Sequence, residues 1–156
     1  MKQSTLLFLI RKNENGLEQI CLAMKKRGFG AGRYNGAGGK IEAGESIEDA
    51  TKRETKEEIG VEVTSMKKCA ELTFEFAFKP DWNQVVHAYI ATEWEGEPTE
   101  SEEMKPEWFY TVDIPYASMW PDDILWLPHA LAGKYVTGRF VFGENDTIIE
   151  KEVNIG

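Results

Sequence analysis

The chain has 156 residues, of which 42% are hydrophobic and 12% aromatic, and a formal net charge of −9. That length and apolar content suit one domain over residues 1–156 with a sizeable core, and exclude an intrinsically disordered chain. The acidic balance argues against a nucleic-acid polymer or an anionic membrane surface as partner, since either calls for surplus Lys and Arg.

Cys21 and Cys69 lack C-x-x-C spacing, and His87 and His129 stand alone. They read as free, buried thiols and isolated histidines, not as a zinc site or a disulfide. Residues 1–13 have only five consecutive apolar residues and no small-residue cleavage site, so they predict a first strand and not a signal peptide or a membrane span. A cytoplasmic monomer is the expectation.

Residues 6–10, LLFLI, predict a short buried strand. Asn15-Gly16 is a hairpin signal, and 19–24 supplies the returning strand. Residues 25–40, KKRGFGAGRYNGAGGK, hold six glycines, five basic residues and no acid. That glycine density predicts a loop whose backbone approaches something closely. No G-K-[ST] follows the glycines, which excludes a P-loop. Concentrated positive charge in an acidic chain favours contact with a phosphate or a base, with Lys25, Lys26, Arg27 and Arg33 offsetting phosphate charge. A solvated basic loop competes with that reading at each of these positions.

The segment 39–61, GKIEAGESIEDATKRETKEEIGV, organises the rest of the chain. Ser46, with Asp49 three residues on, is a helix-start pattern. Gly60 suits the left-handed residue that ends a helix, about three turns later. Ile47, Ala50 and Thr51 predict a core-facing stripe, and its continuation reaches Glu54, Glu57 and Glu58. Carboxylates at i, i+3 and i+4 repel one another and raise each other's pKa unless a counter-charge is present. An all-oxygen cluster of this kind suits a hard divalent cation, Mg²⁺ or Mn²⁺. The competing reading is a solvated acidic helix in which Arg53 pairs with Glu57.

Beyond the helix, 61–63 and 70–78 read as strands. In the second, Leu72, Phe74, Phe76 and Phe78 alternate with Thr73, Glu75 and Ala77 to give one aromatic face. Residues 80–83 form a turn into a strand over 83–94. An acidic loop covers 96–104, a short strand 107–110, and a single turn 112–116. Pro121 opens a second helix over 121–131. Residues 139–142 and 147–153, joined by a turn at 143–146, close the chain as a hairpin. Asp122 and Asp123 carry two readings. Acids are favoured at a helix start by its dipole; alternatively, two carboxyls in an apolar pocket share protons so that one donates while the other accepts. Trp120 beside them offers a flat stacking face.

The spacing Gly39, five residues, Glu45, seven residues, Arg53-Glu54, then Glu57-Glu58-x-Gly60-Val61 resembles the Nudix box of the Nudix hydrolases. Thr55 departs from it, standing where an aliphatic residue is usual. The resemblance implies an α+β fold, an α/β/α sandwich with a mixed sheet, and Mg²⁺-dependent hydrolysis of a phosphoanhydride. It also implies Glu57 and Glu58 as metal ligands, Glu54 as ligand or base, Gly39 as a carbonyl donor to the metal, and Arg53 as the residue that orients a glutamate. A further acid is implied in a distal loop, Glu103, with Glu102 in reserve.

Outside the box, KKRGFGAGRYNG (25–36), FEF (74–76), EEMKPEWF (102–109), MWPDD (119–123) and GRFVFGENDTI (138–148) resemble the oxidised purine nucleoside triphosphatase branch of that family. This implies hydrolysis of nucleoside triphosphates such as 8-oxo-dGTP and 2-oxo-dATP to monophosphate and pyrophosphate, sanitising the nucleotide pool. The base is then read by Asn35, Asp122 and Asp123 and stacked on Trp120. Phe29, Phe74 and Met104 are pocket walls, and Thr5 and Lys25 are rim contacts. Tyr34 and Ala37 replace bulkier aromatics of that branch. Two alternatives stay open: a Nudix hydrolase of another nucleoside diphosphate derivative, and a non-catalytic binding module of Nudix fold.

Overall fold

Leu6, Phe8 and Ile10 of β1 (Lys2–Lys12) are buried with Trp126 and Leu127, whereas Leu7 and Leu9 are buried with Ile59 and Val61. A strand buried on both faces needs a layer on each side, and its continuous apolar run is the sequence mark of that. The computed structural model describes residues Met1–Gly156. It supplies the two layers as α1 (Ile47–Ile59) and α2 (Asp123–Leu131), on opposite faces of a sheet that continues with β2 (Glu18–Lys25), β3 (Tyr34–Asn35), β4 (Glu62–Phe76), β5 (Gln84–Glu95), β6 (Met104–Tyr110), β7 (Val136–Phe142) and β8 (Ile148–Ile155). The strand order is β3-β2-β1-β5-β4-β7-β8, with β6 along the other edge of β2. The pairs β1–β5 and β4–β7 are parallel and the others antiparallel, which makes the expected α/β/α sandwich with a mixed sheet.

Helix α1 begins and ends where its sequence says. Ser46 Oγ accepts from the Asp49 N–H at 3.1 Å, and Gly60 closes the helix at φ 73°. The acidic stripe differs from expectation. The buried face comprises Ala50, Thr51, Thr55, Glu58 and Ile59, while Glu57 has a side chain 58% exposed. At roughly 100° per residue, Thr51, Thr55 and Glu58 share the centre of one face and Glu57 falls on its border. Thr55 is fully buried, and its hydroxyl donates to the Thr51 carbonyl at 2.7 Å, so the departure from an aliphatic residue leaves no polar atom unpaired.

Several strands run longer than the sequence pattern indicates. The two strands expected at 61–63 and 70–78 are one strand, β4, against which β5 pairs throughout. Irregularities between Val63 and Ser65, Ser65 and Met66, and Lys68 and Ala70 shift the phase of its side chains, so no clean alternation survives there. β4 stops at Phe76, which leaves Phe78 exposed and outside the aromatic face expected for it. β6 starts at Met104, because an edge strand tolerates Pro106. α2 starts at Asp123, two residues after Pro121, and carries Pro128 inside it. No helix is long and apolar enough to cross a membrane. Cys21 and Cys69 are free and buried.

The feature that positions the site is a split in the sheet. β1 and β2 pair only from Ile10↔Ile20 to Lys12↔Glu18 and then diverge. The glycine-rich loop fills the gap. Tyr34 and Asn35 pair with Met24 and Ala23 on one side, and Ala37 and Lys40 bridge to Leu7 and Ser4 on the other. A Cβ at Gly38 would lie 1.8 Å from the Thr5 carbonyl oxygen, so the close approach foreseen for this loop is to its own sheet.

Removing the α1 cap with Ser46→Ala is expected to destabilise the protein by about 1 kcal/mol, or roughly 2–4 °C in Tm for a chain of this size. Thermal and urea unfolding of the variant check this; an unchanged midpoint would mean that tertiary packing alone holds the helix start.

Candidate active site

Along the loop, Ala37 and Gly39 turn their backbone groups toward β1. The Leu7 N–H donates to the Ala37 carbonyl at 2.7 Å, and the Thr5 N–H to the Gly39 carbonyl at 2.8 Å. An extended chain alternates the direction of its polar groups, so Gly38 faces the other way, and its N–H donates to Glu58 Oε1 at 2.7 Å. The Gly39 carbonyl expected to serve a metal is thus engaged by Thr5, whose hydroxyl also lies 3.4 Å away. The Gly38 carbonyl accepts no hydrogen bond.

Arg53 holds the acids of α1 in place. Its Nε and Nη2 donate to both oxygens of Glu45 at 2.6 and 3.0 Å, and its Nη1 to Glu54 at 3.0 Å and Glu57 at 3.1 Å. A further bond to the Lys40 carbonyl, 3.1 Å, ties the cluster to the loop. The Glu54 carboxyl packs against the bare Cα of Gly39, where a Cβ would come within 2.4 Å of it. Burial raises the Glu54 pKa; Arg53 opposes the shift, and the charges of Glu57 and Glu103 add to it. Burial likewise pushes Glu58 up to about 7 against the pull of the Gly38 N–H and Lys25.

Glu103 sits 3.3 Å from Lys25 Nζ and contributes to the field at both Glu54 and Glu58. Glu102 points to solvent, 86% exposed, and pairs with Arg27. Of the two distal acids, Glu103 is therefore the one beside the cluster. As they stand, no three of these carboxylates converge on one point, because Arg53, Gly38 and Lys25 each hold one or more of them. The donor set nevertheless fits a hard divalent cation. It is all oxygen, it includes a carbonyl without a donor, and it carries a half-buried acid raised by burial and, in smaller part, by its like-charged neighbours.

From Glu58 a cavity of about 430 Å³ runs between the loop and α2. Asn35, Trp120, Asp122, Asp123, Phe29, Phe74, Met104, Thr5 and Lys25, the residues expected to bind substrate, all line it, and Gly39 does too. Glu54, Glu57, Arg53 and Glu103 do not line it. Asn35 Oδ1 accepts from the Gly36 N–H at 2.9 Å, which leaves the amide NH₂ free to donate.

Asp122 and Asp123 are almost wholly buried. Asp122 accepts from Trp126 Nε1 at 2.9 Å, whereas Asp123 Oδ2 has no partner at all. Burial raises Asp122 to about 6. It raises Asp123 well above the usual range, with the charge of Asp122 adding to the shift. Of the two readings of this pair, a plain helix start does not explain a buried carboxyl oxygen without a partner.

The basic loop is less available to phosphates than its sequence indicates. Lys26 pairs with Glu100, Arg27 with Glu102 and Arg33 with Asp146. Trp126 and Trp82 were not foreseen as site residues. Trp126 lies four residues beyond Asp122, a helical spacing from which its role was readable. Trp82 lies in the 80–83 turn, packed edge-on to Phe29 at 4.8 Å, a contact with no local signal.

The chain matches the NUDIX domain model over residues 1–130 and belongs to the Nudix family. Members of this family generally use divalent metal ions. It is 48% identical over 132 residues to the oxidized purine nucleoside triphosphate hydrolase of Mus musculus, covering 85% of this chain and 84% of that one. It is 44% identical over 154 residues to the Danio rerio protein of the same description, covering 99% and 97%. In fold it is similar to a mutator MutT protein of Bacillus halodurans, with a TM-score of 0.83, 24% identity, and coverage of 99% and 98%.

The buried acid pair makes a prediction about pH. Both carboxyls hold their proton more tightly folded than unfolded. Their stabilising contribution is therefore complete below the ordinary carboxyl pKa of about 4 and is lost as pH rises through the raised folded values. Asp123→Asn mimics the protonated form, so its Tm is expected to gain on the wild type as pH rises above the ordinary carboxyl pKa of about 4. Calorimetry across that rise checks this; parallel curves would mean that the pair ionises freely in the folded state.

Proposed function

We propose that this chain is a Mg²⁺-dependent pyrophosphohydrolase of oxidised purine nucleoside triphosphates, 8-oxo-dGTP and 2-oxo-dATP among them, and that it acts as a monomer on the free nucleotide pool of the cytoplasm. The observation that carries this reading is the unpartnered, buried Asp123 oxygen. It stands beside Asp122 and the free Asn35 amide in a cavity that ends at Glu58. Such a pocket offers a purine edge at least two donors and two acceptors, because one carboxyl keeps its proton near neutral pH. An altered base that satisfies these groups binds, and an ordinary base that leaves one of them unpaired is rejected. The descriptions of the mouse and zebrafish relatives support the same substrate class.

Glu57, Glu58 and the Gly38 carbonyl would hold the metal, with Glu54 as ligand or proton acceptor and Glu103 completing the ring. The bound ion supplies charge neutralisation at the phosphates and a lowered pKa for the attacking water. The protein's own part is positional. Arg53 fixes the direction of Glu54 and Glu57, and Lys25 offsets phosphate charge at the cavity rim. Trp120 and the acid pair hold the base so that the scissile phosphate reaches the cluster. Water attacks phosphorus, the bridging P–O bond breaks, pyrophosphate leaves, and the water's proton passes to a carboxylate of the cluster.

Pyrophosphate release with Mg²⁺ from 8-oxo-dGTP, 2-oxo-dATP and dGTP tests this reading. The wild type is expected to prefer the altered bases, and Glu57→Gln to lose roughly 10²–10³-fold in kcat, the order lost when one charge-stabilising group is removed. A wild type that cleaves no triphosphate would sink the substrate assignment, and a Glu57→Gln variant of full activity would sink the site.

A further inference from the structure

Arg33 is a cation that phosphate binding does not absorb. Its Nη1 lies 3.0 Å from Asp146 Oδ2, and its guanidinium carbon lies 4.1 Å from the centroid of the Trp120 ring. Asp146 comes from the turn between β7 and β8, 113 residues away in sequence. In that turn Asn145 and Asp146 take the left-handed φ values 56° and 58°. The conformation is uncommon for any residue other than glycine, and least costly for Asn and Asp. Two such residues in succession persist where surrounding contacts over-determine them, and the side-chain contact that Asp146 makes is with Arg33. The pair is part-sheltered, with side chains 28% and 33% exposed, which sets it apart from a solvated surface ion pair.

We propose that Asp146 is a positioning residue for purine recognition, which acts through Arg33 to fix the Trp120 ring as the stacking wall of the base cavity. The inference rests on the substrate reading given above and deepens it. A stacking wall contributes most when its ring is held before the ligand arrives, because the cost of ordering it is then already met. A guanidinium suits that task. It is planar, it lies flat on an indole face, and its fork can be locked by one carboxylate. Phe29 also stacks against Trp120, with centroids 5.2 Å apart. It is flanked by Gly28 and Gly30, both in the left-handed region, so its backbone support is the more pliable of the two. Arg33 is also the basic group whose field reaches both Asp122 and Asp123, which it lowers against the effect of their burial.

The test compares the wild type with Asp146→Asn, Asp146→Glu and Arg33→Lys in steady-state turnover of 8-oxo-dGTP and dGTP with Mg²⁺. It adds calorimetric binding of 8-oxo-dGMP without metal. Asp146→Asn keeps a residue suited to the left-handed backbone and removes only the charge. It is expected to raise KM for 8-oxo-dGTP about tenfold, to weaken 8-oxo-dGMP binding by a similar factor, and to narrow the preference over dGTP, with the loss falling on KM and not on kcat. Arg33→Lys, which keeps the charge without the planar stack, is expected to behave alike, and Asp146→Glu to recover part of the loss. Unchanged KM, affinity and preference in both Asp146→Asn and Arg33→Lys would overturn the inference, as would a fall in kcat at constant KM. A wild type with no preference for the altered base would take the substrate reading down together with this one. A selective wild type with unaffected variants defeats this inference alone.

Discussion

An extended backbone presents its N–H and C=O to one side at one residue and to the opposite side at the next. That alternation over Ala37–Gly38–Gly39 is the constraint on which the site depends. Ala37 and Gly39 close the gap that opens when β1 leaves β2, and Gly38 is left facing α1, where its N–H meets Glu58. The approach to β1 leaves no room for a side chain at Gly38. A larger residue there would not merely crowd the loop. It would shift the alternation and turn the Gly38 N–H away from Glu58. Sheet geometry, the glycine and the buried glutamate are thus one feature seen at three scales.

Around that feature an acidic chain keeps two groups of carboxyls in opposite ways. On α1 the acids are numerous and partly solvated, and cations hold them apart. Arg53 engages Glu45, Glu54 and Glu57, and Lys25 engages Glu103. At the start of α2 the pair Asp122 and Asp123 has one indole N–H and the distant field of Arg33, far too little to sustain two buried charges. The first group is suited to exchanging its protein cations for a metal ion. The second is suited to holding a proton and offering it to a base. The same residue type serves chemistry in one place and recognition in the other, and burial decides which.

Much of this was legible in the sequence because the informative residues are local. Ser46, Asp49 and Gly60 bound α1 at the positions their capping chemistry requires, and the spacing of the box glutamates is itself a helical repeat. The nine residues that the family resemblance assigns to substrate all line one cavity. What escaped was set by contacts distant in sequence or by shifts in phase. Glu57 sits on the border of the buried stripe and not within it. The irregularities of β4 erased the alternation that would have marked one long strand. Which glycine carbonyl is left without a hydrogen bond depends on where β1 pairs with the loop, and no local pattern carries that register. Arg33 read as a phosphate cation because its partner, Asp146, is on the far side of the chain.

The two walls of the cavity meet at Glu58. It lines the same space as the residues proposed to read the base and shares the acidic face of α1 with Glu54, which does not line that space. Recognition and chemistry are therefore connected by distance and not by shared side chains. In the proposed function, a nucleotide seated against Asp122, Asp123 and Trp120 would deliver whichever phosphate lies one cavity length away, and a base that seats poorly would deliver it off line. Misplacement by about 1 Å can cost on the order of 10²-fold in rate, so discrimination among bases does not require the acid cluster to sense the base at all. This is why the supports of Trp120 matter as much as the hydrogen-bonding groups. A wall that is not held in advance weakens the grip on the base, and so raises KM, even when every donor and acceptor in the pocket is intact.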